Sequence, residues 1–164
     1  MPNASIAAHL RDILILPFSV TVIIPYFIYE DDHRIPETIF LKIIGVIIGS
    51  AGSFLFFYTV FLFKNIGKGT LAPWSEKQKL VIVGPYRHCR NPMISGVLFI
   101  LISESLILHS LPILIWAGCF FLINTIYFLI SEEPALEKKF GDDYKHYKKH
   151  VSRWLPRVTP YDQN

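Results

Sequence analysis

The amino-acid sequence predicts an all-α membrane protein with four transmembrane helices, a polar loop and an amphipathic C-terminal helix. Hydrophobic residues make up 52% of the 164 residues and charged residues only 18%, whereas soluble domains average about 25% charged residues. The apolar residues also collect in four long runs that are almost free of charge. These two observations favour a polytopic membrane protein over a soluble domain.

The four apolar runs define the predicted spans, at about residues 10–29, 39–63, 93–108 and 111–130. A helix needs about 20 apolar residues to cross the hydrocarbon, and the second and fourth runs meet this length. The first run contains two prolines and lacks a small-x-small cleavage pattern, so we expect a retained helix and not a signal peptide. The third is shorter and contains one acid, Glu104.

We expect one integral membrane domain over residues 1–164, with a polar loop at 64–92 and a polar C-terminal segment at 131–164. Six Lys and Arg residues lie in that loop and seven in the C-terminal segment, but only one lies in the turn at 30–37. Because short basic loops stay on the cytoplasmic side, the loop, the C-terminal segment and both termini are predicted to be cytoplasmic. The membrane would be a bacterial inner membrane or the endoplasmic reticulum.

The loop at 64–92 is predicted to be structured and not helical, because it contains three glycines and two prolines before Pro92. Residues 79–83 favour a short extended stretch that enters a Gly84–Pro85 turn. Pro92 suits the first turn of the third span, with Asn91 as its N-cap.

Near the start of the C-terminal segment, Pro134 disfavours helix at Glu133 and is predicted to begin or kink the next helix. Five apolar residues then recur at spacings of four, four, three and four, as expected for an amphipathic helix: Leu136, Phe140, Tyr144, Tyr147 and Val151. We expect this helix to pack on the loop or to lie at the lipid headgroups, with Trp154 as an interfacial anchor.

Two other patterns argue against metal and nucleic-acid chemistry. His146 and His150 have a metal-binding spacing, but the neighbouring lysines would repel a cation, so we predict no metal site. The net charge of +3 is modest, and the basic residues are those that membrane orientation requires, so no nucleic-acid partner is expected.

Cys89 and Cys119 are predicted to be structural thiols.

Three groups of residues are candidates for chemistry. Glu132 and Glu133 are adjacent acids at a helix C-terminus, where their charge is unfavourable, so either a cation compensates them or a new helix starts at Pro134. Glu104 is an ionisable group inside a span and thus a functional hypothesis, unless it lies at the far interface. The loop around Arg90 either binds an anionic ligand at a helix N-terminus or simply orients the protein.

Three motifs in these polar segments resemble a known family. Residues 84–93 read GPYRHCRNPM, residues 132–147 read EEPALEKKFGDDYKHY, and residues 153–156 read RWLP. Together they are similar to the isoprenylcysteine carboxyl methyltransferase and phospholipid methyltransferase family, over about residues 40–157. This resemblance implies an integral membrane enzyme that uses S-adenosyl-L-methionine to methylate a lipophilic acceptor, such as a prenylcysteine carboxylate or a phospholipid amine.

The resemblance also implies a cofactor pocket between the loop and the C-terminal segment. Carried over residue by residue, that pocket consists of Gln78, Lys79, Leu80, Val81, Tyr86, Asn91, Pro92, Met93, Ile94 and Glu132. We assign Glu132, Arg90 and Glu104 as candidate catalytic residues.

Three positions depart from the prenylcysteine enzymes, which have His at Asn91, Tyr at Ile94 and, for the substrate carboxylate, Arg at Phe128. Losing that arginine leaves a lipid amine, a phenol or another lipophilic acceptor open. Two alternatives to the methyltransferase also stay open: a membrane reductase with a nicotinamide cofactor, and a non-catalytic membrane scaffold of the same fold.

Overall fold

The computed structural model describes residues 15–30, 34–66, 80 and 82–162. Within these ranges the chain is helical and contains no strand, which confirms the predicted all-α class. The six helices are α1 (Ile15–Ile28), α2 (Ile39–Ile66), α3 (Pro92–Ile107), α4 (Leu111–Tyr127), α5 (Glu133–Phe140) and α6 (Asp142–His150). A 3₁₀ turn at Gly84–Arg87 precedes α3.

Two helical stretches, Ile39–Leu62 and Leu111–Phe140, are long and apolar enough to cross a membrane. They correspond to the second and fourth predicted spans. The described part of α1 and the whole of α3 are apolar but shorter. That α1 and α3 cross the membrane therefore stays a prediction.

Helices α2 and α3 pack closely and antiparallel, because small residues line their interface. A Cβ atom added to Gly96 of α3 would lie 2.8 Å from the carbonyl oxygen of Gly52 and 2.9 Å from the backbone nitrogen of Phe56. Further along, the Ser103 hydroxyl donates a 2.7 Å hydrogen bond to the carbonyl of Gly45. Small residues let helix backbones approach in this way, and the antiparallel packing brings the end of α2 and the start of α3 to the same side.

The helix that begins as α4 does not stop before Pro134, although the sequence predicts that helix is disfavoured at Glu133. Residues Phe128–Glu132 form a π-helical turn, Glu133 is helical, and its N–H bonds to the carbonyl of Phe128. Proline has no N–H, and in an α-helix its ring would clash with the carbonyl four residues earlier. The wider π turn relieves this conflict. The prediction that Pro134 disfavours helix at Glu133 was wrong, whereas the expected helix start at Pro134 agrees with α5, which has this proline in its first turn.

The amphipathic C-terminal stretch is confirmed, but as two helices. Gly141 separates α5 from α6 with φ +57° and ψ −130°, a left-handed conformation that favours glycine. Buried on the apolar side are Tyr144, Tyr147, Val151 and Tyr161, with Leu80, Ile82, Leu136 and Phe140 packed around them. The stripe thus packs on the loop that precedes α3.

Replacing Gly96 with alanine should destabilise the protein, because the new methyl group meets backbone atoms that cannot move independently. Overpacking of this kind costs about 1–3 kcal/mol, which a thermal unfolding curve in detergent would detect. Gly118 of α4 is the matched control, since a Cβ there meets nothing within 4 Å. An unchanged unfolding temperature for Gly96→Ala would contradict the close packing.

Candidate active site

A buried carboxylate, Glu133, is surrounded by three cationic side chains. Glu133 is 3% exposed. Its Oε1 accepts hydrogen bonds from Arg90 Nη1 at 2.8 Å and from Arg153 Nε at 2.7 Å. Its Oε2 lies 3.0 Å from Lys148 Nζ. We call these four residues the Glu133 cluster.

The Glu133 cluster joins segments that are far apart in the sequence. Arg90 comes from the loop before α3, Lys148 from α6 and Arg153 from the tail after α6. Lys148 also bonds to Glu137 at 2.7 Å, and its hydrogen bonds to Glu137 and Glu133 raise the pKa of its ammonium group. The cationic compensation that the adjacent glutamates suggested is present. Sequence reasoning missed Lys148 and Arg153 as its source, because only the fold brings them to Glu133.

Backbone hydrogen bonds hold the tail alongside the loop. Residues 87–90 pair with residues 152–161 through three main-chain bonds. These bonds join Arg90 N to Ser152 O (3.0 Å), Arg157 N to His88 O (3.0 Å) and Tyr161 N to Arg87 O (2.9 Å). The two polar segments therefore form one unit.

Side chains inside this unit are buried and neutral. The Tyr147 hydroxyl donates to the carbonyl of Tyr86 at 2.6 Å, and the Cys89 thiol donates to the carbonyl of Arg153 at 3.0 Å. Burial raises the pKa of the Tyr147 phenol and that of the Cys89 thiol above their ordinary values. Cys89 is thus held as a protonated thiol, which agrees with the structural role predicted for it.

Glu132 differs from its neighbour Glu133. Its side chain is partly buried, and no described residue donates a hydrogen bond to its carboxylate. It lies near Tyr86, whose phenol has a pKa raised first by burial, then by Tyr147 and by the Glu132 charge. Within the described chain, Arg90 Nε is likewise buried without an acceptor. In the same unit, Trp154 Nε1 is also buried without an acceptor among the described residues. Glu132 and Arg90 Nε are the charged groups of this unit that could bind a ligand.

The other predicted pocket residues fall at the start of α3 or near the loop. Asn91 precedes α3 as its N-cap without a side-chain capping bond, and Pro92 is buried in the first turn. Met93 and Ile94 pack against the core between the helices. Leu80 packs on the buried tyrosines of α6. Gln78, Lys79 and Val81 lie outside the described residues.

Glu104 lies far from Arg90 and Glu132. It lies twelve residues after Pro92 on α3, which corresponds to about 18 Å along the helix axis at 1.5 Å per residue. Its Oε2 is buried without a hydrogen-bond partner among the described residues. The structure therefore separates Glu104 from Arg90 and Glu132.

Aromatic rings occupy the position where prenylcysteine enzymes have arginine. Phe128 is buried in the π turn. The ring of Trp154 lies against it, with centroids 5.8 Å apart, and against Phe121 at 5.1 Å. Trp154, predicted as an interfacial anchor, is thus packed on α4 and on the turn after that helix.

The fold and site define a helical protein with two helices long enough to cross a membrane and a charged cluster where α3 begins and α4 ends. Residues 40–143, more than half of the chain, match the phospholipid methyltransferase family. The chain belongs to this family of membrane methyltransferases. It is also similar to an uncharacterized protein of Haemophilus influenzae, with 40% identity over 65 residues that cover 38% of this chain and 100% of that protein.

Replacing Glu133 with glutamine should strongly destabilise the protein, because three cations would lose the charge that compensates them. Breaking a buried ion pair by removing one partner costs about 3–5 kcal/mol. Glu137→Gln is the matched control, since its pair with Lys148 is partly exposed and such pairs contribute about 0–1 kcal/mol. Equal unfolding temperatures for the two variants would show that the Glu133 cluster does not hold the fold together.

Proposed function

We propose that this protein is an integral membrane methyltransferase that uses S-adenosyl-L-methionine to methylate a lipophilic acceptor. In this proposal the chain crosses the membrane four times, with the loop and tail on the cytoplasmic side. The observation that carries the proposal is the Glu132 carboxylate, which has no hydrogen-bond donor in the described chain and lies beside Tyr86. Membership of the phospholipid methyltransferase family supports the same reaction class.

The available groups fit the proposed cofactor chemically. A carboxylate such as Glu132 accepts hydrogen bonds from ribose hydroxyls and attracts a positively charged sulfonium group. The unpartnered Nε of Arg90 suits a carboxylate of the ligand. We propose that Gln78, Lys79, Leu80 and Val81 complete the pocket with backbone contacts, and that Asn91, Pro92, Met93 and Ile94 close it at the helix start.

S-adenosyl-L-methionine supplies a methyl group on a good leaving group, so the reaction needs neither a metal nor a covalent enzyme intermediate. The protein's contribution is to align the acceptor with that methyl group and to exclude water. An amine acceptor must react in its uncharged form, and we propose that a carboxylate at the site, such as Glu132, accepts its proton. Glu104 has no role in this proposal, because α3 holds it at its far end.

A lipophilic acceptor is supported by an apolar groove of about 530 Å³ between α1, α2 and α3. It is lined by Ile15, Pro17, Phe18, Thr21, Phe56, Phe57, Val97 and Ile100. On α3 the lining begins five residues after Pro92, about 8 Å along the axis from the proposed pocket. We propose that a hydrocarbon chain of the acceptor occupies this groove. The aromatic Phe128 favours a lipid amine over a prenylcysteine carboxylate.

Replacing Glu132 with glutamine should weaken binding of S-adenosyl-L-methionine in calorimetric titration of the detergent-purified protein. We expect about a tenfold loss or more, since a charge-assisted hydrogen bond contributes about 1.5–3 kcal/mol. Asp143→Asn serves as the control, because Asp143 is exposed on α6. Binding unaffected by Glu132→Gln would argue against this pocket. Binding of a nicotinamide cofactor alone would favour the reductase, and binding of neither would favour the scaffold.

Filling the groove should impair use of the acceptor without affecting the cofactor. We expect Ile100→Trp to raise the KM for a lipid acceptor several-fold, measured by transfer of a labelled methyl group to extracted lipids. Affinity for S-adenosyl-L-methionine should stay the same. The control is Leu122→Trp on the exposed side of α4, and an equal KM in the two variants would exclude the groove as the acceptor site.

A further inference from the structure

Two exposed apolar side chains on the tail have no counterpart elsewhere in the described polar segments. Leu155 is 77% exposed and Val158 is 95% exposed. All other exposed large hydrophobic residues in the described chain lie in or beside α1–α4 or in the π turn, where lipid would cover them. Single exposed apolar side chains are common on protein surfaces, so the surroundings of Leu155 and Val158 decide what these side chains contact.

The packing of Trp154 shows at what depth this part of the tail lies. Its ring contacts Phe121 and Phe128, with centroids 5.1 and 5.8 Å apart. Both phenylalanines belong to the uncharged run 111–130, within a helix long enough to cross a membrane. Leu155 directly follows Trp154, so it lies close to the level of Phe121 and Phe128 in the apolar helix.

The tail is held at this level by its contacts with the rest of the site. Arg153 is bonded to Glu133, and the backbone N–H of Arg157 donates to the carbonyl of His88. Among the described residues, the Arg157 guanidinium donates to the carbonyl of His150 and the hydroxyl of Thr159, each at 3.2 Å. No described carboxylate pairs with it. An uncompensated cation beside exposed apolar side chains matches a lipid surface, which presents phosphates above acyl chains.

We propose that residues 154–158 form a membrane-inserted segment, with Leu155 and Val158 in the boundary between headgroups and acyl chains and Arg157 on lipid phosphates. The bilayer would then help hold the tail against the Glu133 cluster and the loop. This inference concerns how the site is seated in the membrane. It rests on the proposed crossing of the membrane by α4, but not on which reaction the site performs.

The test is photo-cross-linking in nanodiscs of phosphatidylcholine and phosphatidylglycerol. A benzophenone amino acid replaces Leu155, Val158 or, as a control, the exposed Asp143 of α6. We expect lipid adducts, seen by intact-protein mass spectrometry, to be at least fivefold more abundant at positions 155 and 158 than at 143. Equal yields at the three positions would overturn the proposal. Cross-links from 155 and 158 to a second copy or to another segment of this chain would overturn it as well.

A second measurement uses side chains of ordinary size. Leu155→Asp combined with Val158→Asp should lower the unfolding temperature in the same nanodiscs by several degrees, because inserted carboxylates are unfavourable in lipid. The matched control is Thr159→Asp, which adds a carboxylate at an exposed polar position of the same tail. No difference between the double variant and this control would reject membrane insertion.

Discussion

The arrangement of the whole polar side of this protein depends on one buried carboxylate. Removing Glu133 from water is costly unless several donors compensate its charge. Arg90, Arg153 and Lys148 provide them at 2.7–3.0 Å. Because these cations come from the loop, the tail and α6, the need to satisfy Glu133 brings three distant segments together. The backbone pairing of loop and tail then follows.

The same interaction explains why two adjacent glutamates have different roles. Successive residues of a helix point about 100° apart, so Glu133 faces the cations while Glu132 faces Tyr86. The π turn makes this arrangement compatible with Pro134 and carries the helix past the end of its apolar run. One carboxylate is thereby committed to the fold. The other is left free for a ligand in the proposed methyltransferase.

The aromatic residues around Phe128 distinguish this chain from the prenylcysteine methyltransferases that it resembles. Where those enzymes have an arginine for a substrate carboxylate, Phe128 and Trp154 pack together here. The chain's membership of the phospholipid methyltransferase family and the apolar groove beside α3 agree with a lipid acceptor that carries no carboxylate at the reacting end. The same aromatic contacts bring the tail to the depth of the apolar helix.

The sequence by itself determined the helical class, the long apolar helices at 39–63 and 111–130, the helix start at Pro92, the amphipathic stripe and the family. These features arise from local periodicity, proline chemistry and contiguous motifs, all of which are visible along the chain. The partners of Glu133, the continuation of the helix through Pro134 and the separation of Glu104 from the site were decided only by the tertiary structure. Pairing between residues 43 to 64 positions apart, such as Arg90 with Glu133 and Cys89 with Arg153, leaves no periodic signal. Which of the two glutamates binds the three cations likewise depends on which side of the helical turn faces the loop and the tail.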